Sequence, residues 1–231
     1  MTAIFLHIYY PHLSDDIIDK LESIPFEFNL YINLVENKSD HLASTFKALY
    51  PNAVINTSPN NGMDCGGQLR TLNYWLQHGK DEEFIIFLHT KKNDALRNEM
   101  WSIVLDREEA AQAAFNDPEV GMVGVQEWNL QYPVTPDCNI EQSERYGAPI
   151  HCCDYYCALL GLKNFEINKF GFIGGTMFLV RSSIFKKVFE NVDIESIVSE
   201  LPDYDNGGKI HALERIFGYV VLSEGYKIKG V

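Results

Sequence analysis

The sequence predicts an α/β protein built on a mixed, mostly parallel central sheet flanked by helices. Three observations carry that prediction. Short apolar runs rich in Ile, Val, Phe and Tyr alternate with longer segments of helical period, the pattern of strands joined by crossover helices. The run Phe84-Ile85-Ile86-Phe87-Leu88 is continuously apolar, as strands covered on both faces are. The chain has 231 residues, 46% hydrophobic and 13% aromatic, enough for one α/β domain with a sizeable core. No internal repeat, low-complexity tract or linker breaks it, so residues 1–231 read as a single domain.

The elements follow in order. Ala3 to Tyr9 is the first strand. Pro11, then Ser14 as N-cap with Asp15 and Asp16 in the first turn, opens a helix whose Ile17, Ile18, Leu21 and Ile24 recur at helical spacing, and Pro25 ends it. Glu27 to Val35 is a strand with Phe28, Leu30, Ile32 and Leu34 on one face, followed by a helix from about Ser39 to Tyr50 and a short strand near Val54-Ile55. Thr57 to Gly67 is a turn-rich loop leading into a helix from Gln68 to Gln77. Phe84 to Leu88 is the fourth strand. A helix carrying Trp101 and Ile103, an alanine-rich helix from Glu109 to Phe115 and a fifth strand from Val120 to Val125 come next. Gln126 to Pro149 loses periodicity and gains Pro133, Pro136 and Pro149, the mark of a long excursion over the sheet. The remainder reads as a helix from Cys152 to Leu162, a strand from Gly171 to Arg181, a helix from Ser183 to Phe189, and a helix plus hairpin from Ile210 to Ile228.

Charge excludes some functions. Lys and Arg number 19 against 32 Asp and Glu, a formal net charge of −13. A general binder of nucleic acid or anionic lipid carries the opposite excess. The first residues, Met1 to His7, have no basic n-region and only a four-residue apolar run, so neither a signal peptide nor a membrane span is expected there. The other apolar stretches are far shorter than the roughly 20 residues a bilayer needs. Five cysteines, an odd number in a chain with a full core, read as reduced thiols, and the expected location is the cytoplasm.

In open α/β sheets ligands bind beyond the carboxyl ends of the strands. The residues there are His7, Tyr9 and Tyr10; Val35 to Asn37; Asn60 to Gln68; His89 to Asn93; and Gln126 to Trp128. Four constellations stand out. Asn60-Asn61-Gly62-Met63-Asp64-Cys65-Gly66-Gly67-Gln68 combines three glycines with the start of a helix, a geometry that suits a diphosphate; a tight connection capped by Asp64 is the other reading. It is neither a Walker loop nor a dinucleotide fingerprint. His89-Thr90-Lys91-Lys92 ends the central strand and offers donors to a phosphate leaving group, or else is a solvated loop. His151-Cys152-Cys153-Asp154-Tyr155-Tyr156-Cys157 lacks paired zinc-ligand spacing and reads as helix packing. On a helix from Ile210, His211, Glu214 and Arg215 share one face. Such a face orients and deprotonates a hydroxyl, or is merely exposed. Asp203-Tyr204-Asp205 matches Asp-x-Asp spacing but is too short a signal to assign a metal.

Phe5 to Pro11, Asn61 to Gly67, Leu88 to Lys92, Gly121-Met122-Val123-Gly124, Gly174 to Arg181 and Glu214 to Gly218 resemble, in that order, the blocks of the rhamnan synthesis protein F family. That family is glycosyltransferase-like, and its pattern is similar to the N-terminal transferase domain of a chlorella virus glycosyltransferase. The resemblance spans nearly the whole chain. It implies the GT-A fold, a Rossmann-like three-layer sandwich, with a nucleotide-binding part at about 1–125 and an acceptor-binding part at about 126–231. It implies that His7, Tyr9, Tyr10 and Val35 face the base and ribose, that Asn61, Asp64 and Gln68 lie against the ribose or diphosphate, and that His89, Thr90 and Lys91 stand where most such enzymes carry Asp-x-Asp. A lysine there brings the positive charge that a divalent Mn or Mg ion would otherwise supply, so metal dependence is expected to be weak or absent. Gly175, Thr176 and Met177 would line the acceptor pocket, and Trp101 and Trp128 are either stacking faces for a sugar or core or lid aromatics. Glu214 would activate the acceptor hydroxyl, oriented by His211 and Arg215.

The implied activity is transfer of a hexose or deoxyhexose, such as rhamnose, from a UDP- or dTDP-linked donor to a glycan acceptor. A non-catalytic sugar-nucleotide or glycan-binding domain is the alternative that the missing Asp-x-Asp favours. A metal-dependent hydrolase lacks any standard ligand spacing. The charge arithmetic then predicts a small positive cleft, with Lys91, Lys92, Arg97 and Arg70, inside a negative shell.

Overall fold

A computed structural model describes residues 1–79, 81–131, 150–163, 171–204 and 208–231. The chain order is β1 Thr2–Ile8, α1 Ser14–Glu22, β2 Phe28–Val35, α2 Ala43–Leu49, β3 Val54–Ser58, α3 Met63–His78, β4 Phe84–His89, α4 Asp94–Trp101, α5 Glu108–Ala114, β5 Val120–Gly124, β6 Asn129–Gln131, α6 Ile150–Leu159, β7 Gly171–Ile173, β8 Phe178–Arg181, α7 Ser182–Phe189, α8 Ile194–Ser199, α9 Lys209–Ser223 and β9 Lys227–Gly230.

The main sheet has seven strands in the order β3-β2-β1-β4-β8-β5-β9, and β6 pairs with β7 apart from it. All neighbours are parallel except β8, which runs antiparallel to β4 and β5. Alternate residues of each central strand enter different cores. On β1, Ala3 and Phe5 pack towards α3, α6, α7, α8 and α9, whereas Ile4, Leu6 and Ile8 pack towards α1, α2, α4 and α5. Ile85 and Phe87 of β4 and Tyr31 of β2 repeat the first pattern; Ile86, Leu88, Leu30, Ile32 and Leu34 repeat the second. The result is three layers: helices, sheet, helices.

The elements expected from the sequence are present with four corrections. Gly171 to Arg181 is not one strand: the Gly174-Gly175-Thr176 turn, with φ of +82° at Gly175 and +56° at Thr176, splits it into β7 and β8 of different sheets. The helix expected from Gln68 begins at Met63, so Gly66 and Gly67 lie inside it, and of the three glycines only Gly62 has positive φ. The C-terminal hairpin does not form, because β9 runs parallel to β5 at the edge of the main sheet. Helix α8, six residues long, carries no clear period in the sequence. Most of the Gln126 to Pro149 excursion lies outside the described residues. Among the described residues no helix is long and apolar enough to cross a membrane.

Candidate functional site

The site grows from one register. Asn56 of β3 stands opposite Asn33 of β2, Asn33 opposite His7 of β1, and His7 opposite His89 of β4. By the two-residue period, His7, Asn33 and His89 share the face of Phe5, Tyr31 and Phe87, under α3. Three adjacent strands therefore end in a row of buried polar side chains where an apolar core would otherwise continue: Asn33 is 0% exposed, His7 2% and His89 5%.

From His7 to Asn56 the row is linked by hydrogen bonds. His7 Nδ1 lies 2.8 Å from Asn33 Oδ1, and Asn33 Nδ2 donates to Asn56 Oδ1 at 2.6 Å and Ser58 Oγ at 2.9 Å. Burial pushes the His7 pKa down to about 4, with the Asn33 bond opposing the shift. The ring is therefore neutral at physiological pH. Helix α3 crosses directly above it, and this is why residue 67 is glycine: a Cβ there would sit 2.1 Å from His7 Nδ1. His89 Nε2 faces Gly175 O at 2.7 Å and Asp64 Oδ2 at 3.4 Å. Burial raises the Asp64 pKa, but the charges of His89 and Lys91 and a hydrogen bond from Thr176 outweigh it and hold the carboxyl below its ordinary value.

Above this row lies a cleft of two adjoining lobes. The larger, about 390 Å³, is walled by His7, Tyr9, Tyr10, Asn60, His89, Thr90, Lys92, Asn93 and Asp203. The smaller, about 280 Å³, is walled by Cys65, Gly175, Thr176, Ile210, His211 and Glu214. Met63, Asp64, Lys91 and Tyr204 border both. In the smaller lobe, Glu214 Oε1 accepts a short hydrogen bond from the Gly175 N–H, and Oε2 accepts from Arg215 Nη1 at 2.6 Å. Arg215 is only 3% exposed, donates also to the His211 carbonyl, and lies over the Phe172 ring. It holds Glu214 from behind, so of the expected helix face only His211 and Glu214 reach the cleft.

Other sequence-predicted residues sit elsewhere. Gln68 is buried, with Nε2 donating to the carbonyls of Phe5 and Leu88, so it ties α3 to β1 and β4. Val35 is buried at the end of β2, its N–H donating to Ser39 Oγ. Thr90 borders the larger lobe, yet its Oγ1 accepts from the N–H groups of Tyr9 and Tyr10 and so clamps the end of β1. Trp101 is wholly buried and Met177 is 1% exposed, both in the core on the α4 side; neither offers a face to a sugar. Trp128 donates to Glu99 and packs against Gly174, away from both lobes. Asn61 reaches neither lobe: its Nδ2 donates to Leu201 O, while Asn60 Nδ2 donates to Asp203 O and the Gly62 N–H to Pro202 O. The asparagine-glycine loop thus staples residues 201–203 beside the cleft and sets Tyr204, 73% exposed, at its mouth.

Sequence reading missed two participants. Asn33 had a signal, an amide inside an otherwise apolar strand where such residues are depleted. Tyr204 stands out in the sequence only as the middle of Asp-x-Asp, whose second carboxylate, Asp205, lies outside the described residues.

Among the described residues, the donor set at the β4 end does not fit a divalent cation. It supplies one carboxylate, Asp64, already facing His89 and Thr176, with the Lys91 ammonium beside it, whereas such ions take several oxygen ligands. No group of three or more His, Cys, Asp or Glu among the described residues is placed to hold a metal. Cys152, Cys153 and Cys157 are buried in the helical core, and burial pushes Cys153 and Cys157 up to about 12.

No curated protein matches the chain. The model of the family described as rhamnan synthesis protein F matches residues 1–226, a span that includes the polar row, both lobes and the Glu214 helix; the chain belongs to the rhamnan synthesis protein F family.

Proposed function

We propose that the chain is a glycosyltransferase that moves a hexose or deoxyhexose, rhamnose among them, from a nucleoside-diphosphate sugar to a glycan acceptor. The observation that carries this reading is the pair of adjoining lobes with Asp64 and Lys91 on their shared border. The larger lobe takes the nucleotide and the smaller one the acceptor, so the anomeric carbon lies at the border. There the bond from the anomeric carbon to the diphosphate oxygen breaks, and its electron pair leaves on the diphosphate. Lys91 balances the charge that develops. The acceptor oxygen bonds to the anomeric carbon and gives its proton to Glu214, which the Gly175 N–H and Arg215 hold in place.

A second reading is a sugar-nucleotide-binding domain without turnover. Both oxygens of Glu214 are already hydrogen-bonded, which leaves less of its basicity for an acceptor. Incubating the purified chain with UDP-, dTDP- and GDP-sugars and candidate glycans, with EDTA or Mn²⁺, separates the two. Transfer that survives EDTA is expected. Binding with neither transfer nor donor hydrolysis on any acceptor establishes the second reading, and transfer abolished by EDTA and restored by Mn²⁺ removes the role given to Lys91. In the Glu214→Gln variant, transfer should fall about 10²–10⁴-fold with donor binding retained.

A further inference from the structure

The buried polar row does more than fill space under α3. Asn33 spends its amide group on Asn56 and Ser58, which turns its carbonyl oxygen towards His7. A carbonyl only accepts, so His7 Nδ1 must carry the proton in this 2.8 Å contact. In a neutral ring that leaves Nε2 with a lone pair. Nε2 has no hydrogen-bond partner among the described residues, and the ring forms part of the wall of the larger lobe. The ring is held in place by Gly67 on one side and by its neighbours in the sheet on the other.

We propose that His7 is a fixed hydrogen-bond acceptor that presents Nε2 to an O–H or N–H of the bound ligand, and that Asn33 is the positioning residue that sets this tautomer. The proposal rests on the reading of the larger lobe as a nucleoside-diphosphate-sugar site, and it gives that site a direction. Diphosphate oxygens are acceptors and would be repelled by the Nε2 lone pair. The His7 end therefore takes the hydroxyl- or N–H-bearing part of the donor, ribose, base or sugar. The diphosphate lies towards Lys91 and Lys92, which wall the same lobe.

The charged and titratable groups acting on His7 are Asp64 and Arg70 of α3 and His89 of β4; Asp64 favours a protonated ring, while His89 and Arg70 disfavour it. Asn33 itself is neutral. Replacing it by aspartate adds a charge that stabilises the imidazolium, which has no lone pair at Nε2.

Two measurements test this. Side-chain ¹H–¹⁵N correlation spectra of histidine-labelled protein at pH 5.5 and 7.5 should show His7 neutral with the proton on Nδ1 at both values. A proton on Nε2, or an imidazolium at pH 5.5, overturns the proposal whatever the protein binds. Calorimetric binding of UDP-glucose and dTDP-rhamnose, whose diphosphates do not titrate in this window, should vary less than about threefold between the two pH values in the wild type. In Asn33→Asp, affinity should fall at least tenfold at pH 5.5 and recover at pH 7.5; no pH step with the wild type still binding refutes the role of Asn33 and His7 alone. His7→Gln, which retains an acceptor, should bind within a few-fold of wild type, and His7→Phe should lose at least tenfold; equal affinities for the two variants refute the acceptor role even if Asn33→Asp fails to fold. A wild-type protein that binds neither nucleotide sugar overturns the reading of the lobe and the proposal with it.

Discussion

His7 links stability to pH as well as shaping the cleft. Its folded pKa of about 4 lies below the unfolded value of about 6.5. The unfolded chain therefore binds the extra proton between those values, and stability falls as pH drops through that window. The stabilisation is complete above about pH 6.5 and lost towards pH 4. From pH 7 to pH 5 the histidine should account for about 2 kcal/mol, so urea unfolding of wild type should show that loss relative to His7→Gln at the same two pH values. Parallel pH dependences in the two proteins would remove His7 as the source. Arg215 is the other residue whose place implies a measurable cost. Its guanidinium is sealed against Phe172 and Glu214. Arg215→Met should destabilise by about 3 kcal/mol, since it leaves the Glu214 carboxylate in a largely buried site without its partner. Arg215→Lys should recover only part of that stability, because an ammonium lacks the planar face that the guanidinium lays over Phe172.

Among the elements, the β7–β8 turn is the one on which the smaller lobe depends. Gly175 has φ of +82°, and its N–H and C=O are both committed, to Glu214 and His89. A Cβ would meet Met100 Cε at 2.1 Å, a contact that the flexible methionine can relieve, but the left-handed backbone remains strained for any L side chain. Gly175→Ala should destabilise by about 1–2 kcal/mol and should lower turnover, because the turn anchors Glu214, and also weaken donor binding, because its carbonyl holds His89 in the wall of the larger lobe. An unchanged turnover number would sever the turn from the chemistry. This turn also shows what was legible in the sequence. The central strands could be read because each is apolar on both faces, and their carboxyl ends located the cleft. What the apolar pattern could not carry was the Gly174-Gly175-Thr176 interruption inside a strand-like run, or the return of β9 beside β5, a pairing set by tertiary contact rather than local period. The same limit applied to individual side chains. His7, Lys91 and Glu214 face the cleft with side chains that can meet a ligand, whereas Val35 is buried with its N–H bonded to Ser39 Oγ, and Thr90, although it borders the larger lobe, spends its Oγ1 on the N–H groups of Tyr9 and Tyr10.

For the molecule as a whole, the expected positive cleft in a negative shell does not survive placement of the charges. Arg97 is buried and pairs with Asp16 and Asp94, and Arg70 pairs with Glu195 at 3.3 Å. Among the described residues the walls of the two lobes carry Lys91 and Lys92 against Asp64, Asp203 and Glu214. A ligand bearing a diphosphate therefore approaches a protein of net charge −13 with no broad basic funnel among the described residues, and meets Lys91 and Lys92 only at short range. Long-range repulsion is screened over a Debye length of about 10 Å at 0.1 M salt, while contacts inside the cleft are screened less. The association rate of a fluorescent nucleoside diphosphate, followed by stopped flow, should rise about two- to fivefold as salt increases from 25 to 300 mM, an order-of-magnitude expectation from electrostatic steering of the opposite sign. Dissociation should change less, and Lys91→Ala should act mainly on it, since that lysine works by contact. A steep fall of the association rate with salt would mean that a basic field guides the ligand after all.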